Sequence, residues 1–228
     1  MAALAARHGL GNKPAVALYA LLYALSVEQD PPTTVRRAAE ALDAHLADSL
    51  SGLAIEPLAT ASAIADVGAG PGFPGLALAV ALPGAAVDLI EAANRKCAVI
   101  RRLGAAAGLT NFRAVPVRAE EWGGGEGAAA YEAVTARAVA PLGVLVEYAA
   151  PLLRDGGSLV AWKGKRDEEE ERSAAAAAAI VGLEPVEVRR VSPFTGARDR
   201  HLHVYRKVAR TPDRFPRRAG MARKRPLA

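Results

Sequence analysis

A short apolar run ends in Asp66, and the loop Gly68-Ala69-Gly70-Pro71-Gly72-Phe73-Pro74-Gly75 follows before an apolar helical pattern begins. A strand that feeds a glycine loop and then a helix is how α/β proteins bring a ligand close to bare backbone. Glycine permits left-handed dihedrals and lacks the Cβ that would block the approach. The loop therefore commits the chain to a βα unit with a ligand site at the strand's carboxyl end.

Two ligand classes fit the spacing. Gly70-x-Gly72-x-x-Gly75 matches the dinucleotide fingerprint, and Glu91 follows at the distance of a ribose-binding acid. Asp66 argues the other way, since a carboxylate at the end of a buried strand needs a compensating group. A pyrophosphate would be repelled by it, whereas the ammonium and sulfonium of S-adenosylmethionine would be complemented. Pro71 and Pro74 lack N–H groups, which makes the loop a poorer anion cradle. The plainest reading, a tight turn with no ligand, uses the same glycines and prolines.

Short apolar runs alternate with helical patterns from residue 61 to about 163, as parallel βαβ units require. The spacing predicts strands at 63–67, 86–90, 112–115, 133–136 and 158–162. It predicts helices at 76–82, 94–107 and 142–153, and a further helix over 167–182 whose six alanines, Ala174 to Ala179, favour helix strongly. Two more strands, 186–191 and 202–208, flank a turn-rich stretch and read as an antiparallel addition at the sheet edge. Residues 1–60 read as a helical extension, its second amphipathic segment starting near Thr33, residues 61–208 as the ligand-binding domain, and 209–228 as a basic tail. Gly123 to Gly127 reads as a flexible connection.

Aromatic residues make up 5% of the 228 residues against 51% hydrophobic, so the core must be built of Ala, Val and Leu. One cysteine, Cys97, excludes an internal disulfide framework and suits a reducing compartment. His8, His45, His201 and His203 carry no metal-ligand spacing, so no metal is expected. The apolar stretch 15–27 is too short to span a bilayer and reads as an ordinary helix of a cytoplasmic protein. The net charge of +5 is concentrated at the end, where nine Lys or Arg and one acid lie between Arg206 and Ala228. Such a run is either a solvated end or a contact for RNA phosphates.

Ligands of an open parallel sheet sit outside the carboxyl ends of its strands. Those ends carry Asp66 with the loop glycines Gly68, Gly70 and Gly72, then Glu91, which is placed to accept from ribose hydroxyls. Arg118-Ala119-Glu120 follows the third strand, where the Ala119 amide and the Glu120 carboxylate would read an adenine edge. Arg137 and Lys163 end the fourth and fifth strands and are read as cations near donor or acceptor.

The chain resembles the ribosomal RNA small-subunit methyltransferase G family, also called glucose-inhibited division protein B. The likeness is carried in order by His45-Leu46-x-Asp48-Ser49-Leu50, by Asp66-Val67-Gly68-x-Gly70-x-Gly72-Phe73-Pro74-Gly75, by Glu91 with Arg95-Lys96, and by Arg118-Ala119-Glu120. Thr135-x-Arg137-Ala138-Val139-Ala140-Pro141-Leu142, Pro151-Leu152-Leu153-x-x-Gly156-Gly157, Lys163-Gly164 and Pro216-Arg217-Arg218-Ala219-Gly220 continue it. The resemblance implies a Rossmann-like class I methyltransferase, α/β with a mostly parallel seven-stranded sheet and helices on both faces. It implies S-adenosylmethionine as cofactor and N7 of a guanosine in 16S rRNA, free or in a small-subunit precursor, as acceptor. It further implies that Gly68, Phe73, Ala119, Glu120 and Arg137 contact the donor. Arg137, Lys163, Arg217, Arg218 and Lys224 are the candidates for RNA, and the chain is expected to act as a monomer. A nicotinamide-dependent oxidoreductase and a non-catalytic RNA-binding protein are the alternatives.

Overall fold

The computed structural model describes residues 1–35 and 37–228. Seven strands form one sheet: β1 Ala63–Val67, β2 Ala86–Ile90, β3 Phe112–Val115, β4 Tyr131–Arg137, β5 Leu153–Lys163, β6 Leu183–Arg190 and β7 His201–Lys207. Their order is β3-β2-β1-β4-β5-β7-β6. β1 to β5 are parallel, and β7 runs antiparallel between β5 and β6. The order reverses between β1 and β4, which opens a crevice beyond their carboxyl ends.

Among the described residues, eleven α-helices accompany the sheet: α1 Ala2–Arg7, α2 Asn12–Ser26, α3 Ala38–Ala41, α4 Asp48–Leu50, α5 Glu56–Ala59, α6 Gly75–Ala81, α7 Asn94–Ala106, α8 Ala119–Gly123, α9 Leu142–Ala149, α10 Glu168–Val181 and α11 Met221–Lys224. A π-helical turn, Leu42–Ala47, joins α3 to α4. One core is built from the N-terminal helices, α6, α7 and one sheet face. The other joins the opposite face to α9, α10 and the C-terminal segment, including Phe215 and Ala222.

Local chemistry sets these boundaries. Asp167 caps α10 by accepting from the Glu169 and Glu170 amides, and acids fill its first turn where the helix dipole favours them. Gly182 ends α10 in the left-handed region at φ +84°. The alanine run buries Ala174, Ala177 and Ala178 against α9, and their small side chains allow that helix pair to pack closely.

Several expectations are corrected. The predicted helix 142–153 stops at Ala149, because Pro151 lacks the N–H that would continue the helical ladder, although Ala150 still holds helical dihedrals. β5 starts at Leu153, five residues early, and turns through the Asp155-Gly156-Gly157 irregularity with Gly156 at φ +76°. The second N-terminal segment begins its helix at Ala38 rather than near Thr33. Gly127 is no slack linker, since a Cβ there would lie 2.2 Å from the Trp122 indole. The tail is packed on the domain, with Phe215 and Ala222 buried.

Candidate cofactor and acceptor site

A cleft of about 860 Å³ opens over the β1 and β4 ends. The glycine loop forms its floor. Gly68 and Gly70 both hold left-handed dihedrals, φ +68° and +57°. A Cβ on Gly68 would strike Val139 at 2.6 Å, so the loop packs directly on the segment after β4. A Cβ on Gly70 would meet only the Gly68 carbonyl, at 3.8 Å, so that face of the loop is open to a ligand.

Two predicted ligand contacts are corrected. Asp66 is fully buried, and its Oδ2 accepts the Gly75 amide at 2.8 Å while Oδ1 accepts the Thr135 hydroxyl at 3.0 Å. It fastens the first turn of α6 to β1 and β4 and does not line the cleft, so it offers no counter-charge there. Gly72, at φ +102°, faces Leu76 and Ile100 in the core. A left-handed dihedral and the lack of space for a Cβ explain it.

The remaining donor candidates line the cleft. Glu91 Oε2 accepts from the Gly70 amide at 3.1 Å and Oε1 from the Ala93 amide at 2.9 Å, with Lys96 Nζ 3.6 Å from Oε2. Phe73 stacks on His45, ring centroids 5.0 Å apart. Ala119 opens α8, and the adjoining Glu120 accepts the Gly220 amide at 2.7 Å.

The acceptor side is more buried than expected. Arg137 donates to the Ala44 carbonyl at 2.6 Å and to Asp48 Oδ2 at 2.9 Å, so its charge is neutralised within the protein. Lys163 is paired with Glu170 at 2.7 Å, and Glu170 also accepts the Leu142 amide. Arg217 is corrected from an RNA contact to a structural one: it forms a bidentate pair with Glu147, which is 3% exposed. Arg218 and Lys224 are both exposed.

Residues that reasoning from the sequence left out of the site complete it. The π turn carries His45, and the start of α4 carries Asp48, to the cleft wall, and Trp162 at the end of β5 donates to the Asp48 carbonyl at 2.8 Å. His45 and Asp48 stand in the first segment that carries the family resemblance, which gave them no role in the site. His45 Nδ1 and Asp48 Oδ1 are buried without a hydrogen-bond partner, and Arg200 Nε stands 3.8 Å from Asp48. Burial, and then the nearby Arg137 charge, push the His45 pKa down to about 4, so its ring is neutral at pH 7. Among the described residues no group of three or more potential metal ligands occurs.

Burial raises the Asp66 pKa to about 6, opposed by its hydrogen bonds to Gly75 and Thr135 and by the Arg137 charge. A folded-state pKa above the unfolded value means that the native form binds the proton more tightly. Asp66 therefore lowers stability as pH rises from about 4 to about 6, by about 3 kcal/mol. The difference in stability between Asp66→Asn and the parent should thus grow in favour of the variant across that window. Denaturant melts at pH 4 and pH 7 measure it, and a pH-independent difference would contradict the assignment.

This loop, with the strand order and the arginine segment after β4, agrees with one family in sequence as well. The chain matches the family described as rRNA small subunit methyltransferase G over residues 18–202. It belongs to that family. A ribosomal RNA small subunit methyltransferase G of Pelotomaculum thermopropionicum is 39% identical over 90% of this chain and 87% of that protein. The one from Rubrobacter xylanophilus is 41% identical over 80% and 72%. Among solved structures, the fibrillarin pre-rRNA processing protein of Methanococcus jannaschii shares the fold with a TM-score of 0.55, at 18% identity over 72% of this chain and 74% of that one. The chain is thus a methyltransferase with a Rossmann-like fold, the architecture that the resemblance implied.

Proposed function

We propose that the cleft binds S-adenosylmethionine and presents its methyl group to N7 of a guanosine in 16S rRNA. The observation that carries the choice of donor is how the loop spends its amides. Asp66 takes the Gly75 amide at the start of α6 and Glu91 takes that of Gly70, so carboxylates stand where a dinucleotide's pyrophosphate would need donors. The open face of Gly70 and the cleft volume fit a nucleoside with a short amino-acid arm. Gly68, Gly70, Phe73, Glu91, Ala119 and Glu120 would hold it, Glu91 toward the ribose and Ala119-Glu120 toward the adenine.

When bound, that donor supplies a methyl group on a positive sulfur, open to attack by a lone pair. Guanine N7 already has one, so the site requires no general base, and the neutral His45, its Nε2 3.1 Å from the Thr33 hydroxyl, suits that. Alignment of acceptor and methyl is the main task, and proximity of this kind is worth several kcal/mol, roughly 7–11 at best. Methylation leaves a positive charge on the base. Arg137, matched by Asp48, can border the acceptor without adding an uncompensated cation.

N7 lies on the major-groove edge, which A-form RNA makes inaccessible, so the acceptor is an unpaired or loop guanosine. Arg118, Arg200 and Arg223 border the cleft and give it a cationic rim for phosphates. The substrate is the rRNA itself or the maturing small subunit, which places the enzyme in the cytoplasm, acting as a monomer. Nucleoside mass spectrometry of 16S rRNA from cells lacking the protein tests the reading. One 7-methylguanosine should disappear; its persistence would leave an RNA-binding role or another acceptor.

A further inference from the structure

The motif Pro216-Arg217-Arg218-Ala219-Gly220 is not consumed by RNA, and its contacts lead to the cofactor cleft. Phe215 is buried beneath it in the α9 core. Arg217 clamps Glu147 of α9 with two bonds of 2.7 and 2.6 Å and also donates to the Arg225 carbonyl at 2.8 Å. This fixes the segment on α9, with Pro216 beside Gly124 at the end of α8. Gly220, in the left-handed region at φ +79°, then gives its amide to Glu120 Oε1 at 2.7 Å. One turn later Arg223 donates to the Val139 carbonyl at 2.6 Å, and Val139 is the side chain packed under Gly68. Gly220 and Arg223 themselves line the cleft.

We propose that the segment Phe215–Arg223 is a wall of the donor pocket, with Gly220 and Arg217 as positioning residues that set donor affinity through Glu120 and Val139. The assignment rests on the reading of the cleft given above. Glu120 is a flexible acid on a five-residue helix, and a carboxylate with one oxygen held by Gly220 offers its second oxygen in one orientation. The ordering cost of binding is then met before the ligand arrives. Arg223 closes the other side by holding the backbone after β4 against the glycine loop.

Position 220 gives a clean test, because nothing lies within 4 Å of a Cβ built there and only the backbone conformation is at stake. Asparagine tolerates the left-handed region, whereas a β-branched residue does not. Titration calorimetry with S-adenosylhomocysteine on the full chain should show Gly220→Val raising Kd about tenfold, with Gly220→Asn within twofold of the parent. Steady-state kinetics should place the loss in KM for the donor rather than in kcat. Arg217→Lys should fall between the parent and Arg217→Ala. Unchanged Kd in Gly220→Val, or equal losses in Val and Asn, overturns the proposal, as does a loss confined to RNA affinity. A parent protein that fails to bind S-adenosylhomocysteine overturns instead the reading of the cleft, and this assignment with it.

Discussion

Gly70→Val should reduce donor affinity by a hundredfold or more while leaving a folded protein. The Gly70 Cβ direction points into the open cleft, with only the Gly68 carbonyl within 4 Å, so an isopropyl group would stand where the ligand approaches. The position is also left-handed at φ +57°, which costs a β-branched residue roughly 1–2 kcal/mol. That strain falls on stability, and the steric block falls on binding. Calorimetry with S-adenosylhomocysteine beside a thermal melt separates the two. Gly72→Val should behave differently, because its Cβ would collide with Leu76 at 2.6 Å inside the core. It should lose stability first, and donor affinity only as a consequence.

Arg137→Ala should abolish methyl transfer and cost about 3–5 kcal/mol of stability. The guanidinium is 13% exposed and supplies the close partner of Asp48, whose other oxygen is already without a hydrogen bond. Removing it leaves a buried carboxylate with only the more distant Arg200, 3.8 Å away, and frees the Ala44 carbonyl in the π turn. Adding Asp48→Asn removes the stranded charge, so the double variant should regain a large part of the stability and none of the activity. A double-mutant cycle on stability, with activity measured alongside, gives the result. Independent, additive losses would mean that the pair does not couple the N-terminal helices to β4. Restored activity in the double variant would mean that Arg137 acts only through Asp48.

β1, β2 and β3 fall at the residues that alternation and punctuation assign them, and α7 differs by one. These elements are local. A strand buried on both faces is a continuous apolar run, and its end is marked by the glycine or acid that follows. The termini of β4 and β5 were less visible because they pair beyond their apolar centres, and an irregularity such as Asp155-Gly156-Gly157 has no hydrophobic signature. Positions 68, 70, 91, 119 and 120 could be placed at the cleft from sequence because each lies within five residues of a strand's carboxyl end, whereas position 73 came from the family resemblance.

The roles of charged groups were not legible in the same way. Asp66 read as a counter-charge for the ligand and Arg217 as an RNA contact, since a lone ionisable residue in sequence shows no partner. Their partners are Gly75 with Thr135, and Glu147, 70 residues from Arg217. Only folding brings such groups within bonding distance, and low-dielectric surroundings then dictate whether a charge is offered or spent.

The βα succession, the glycine turn, the placement of candidate residues near strand ends and the family are written in the order of residues. These rest on backbone freedom and apolar periodicity, which act over a few residues. Tertiary structure alone decided which carboxylates hold the loop and which face the cleft, and it drew His45, Asp48, Trp162 and Gly220 into the site. The reason is range: hydrogen bonds and ion pairs join whatever the packed chain sets side by side, and no short window of residues encodes that.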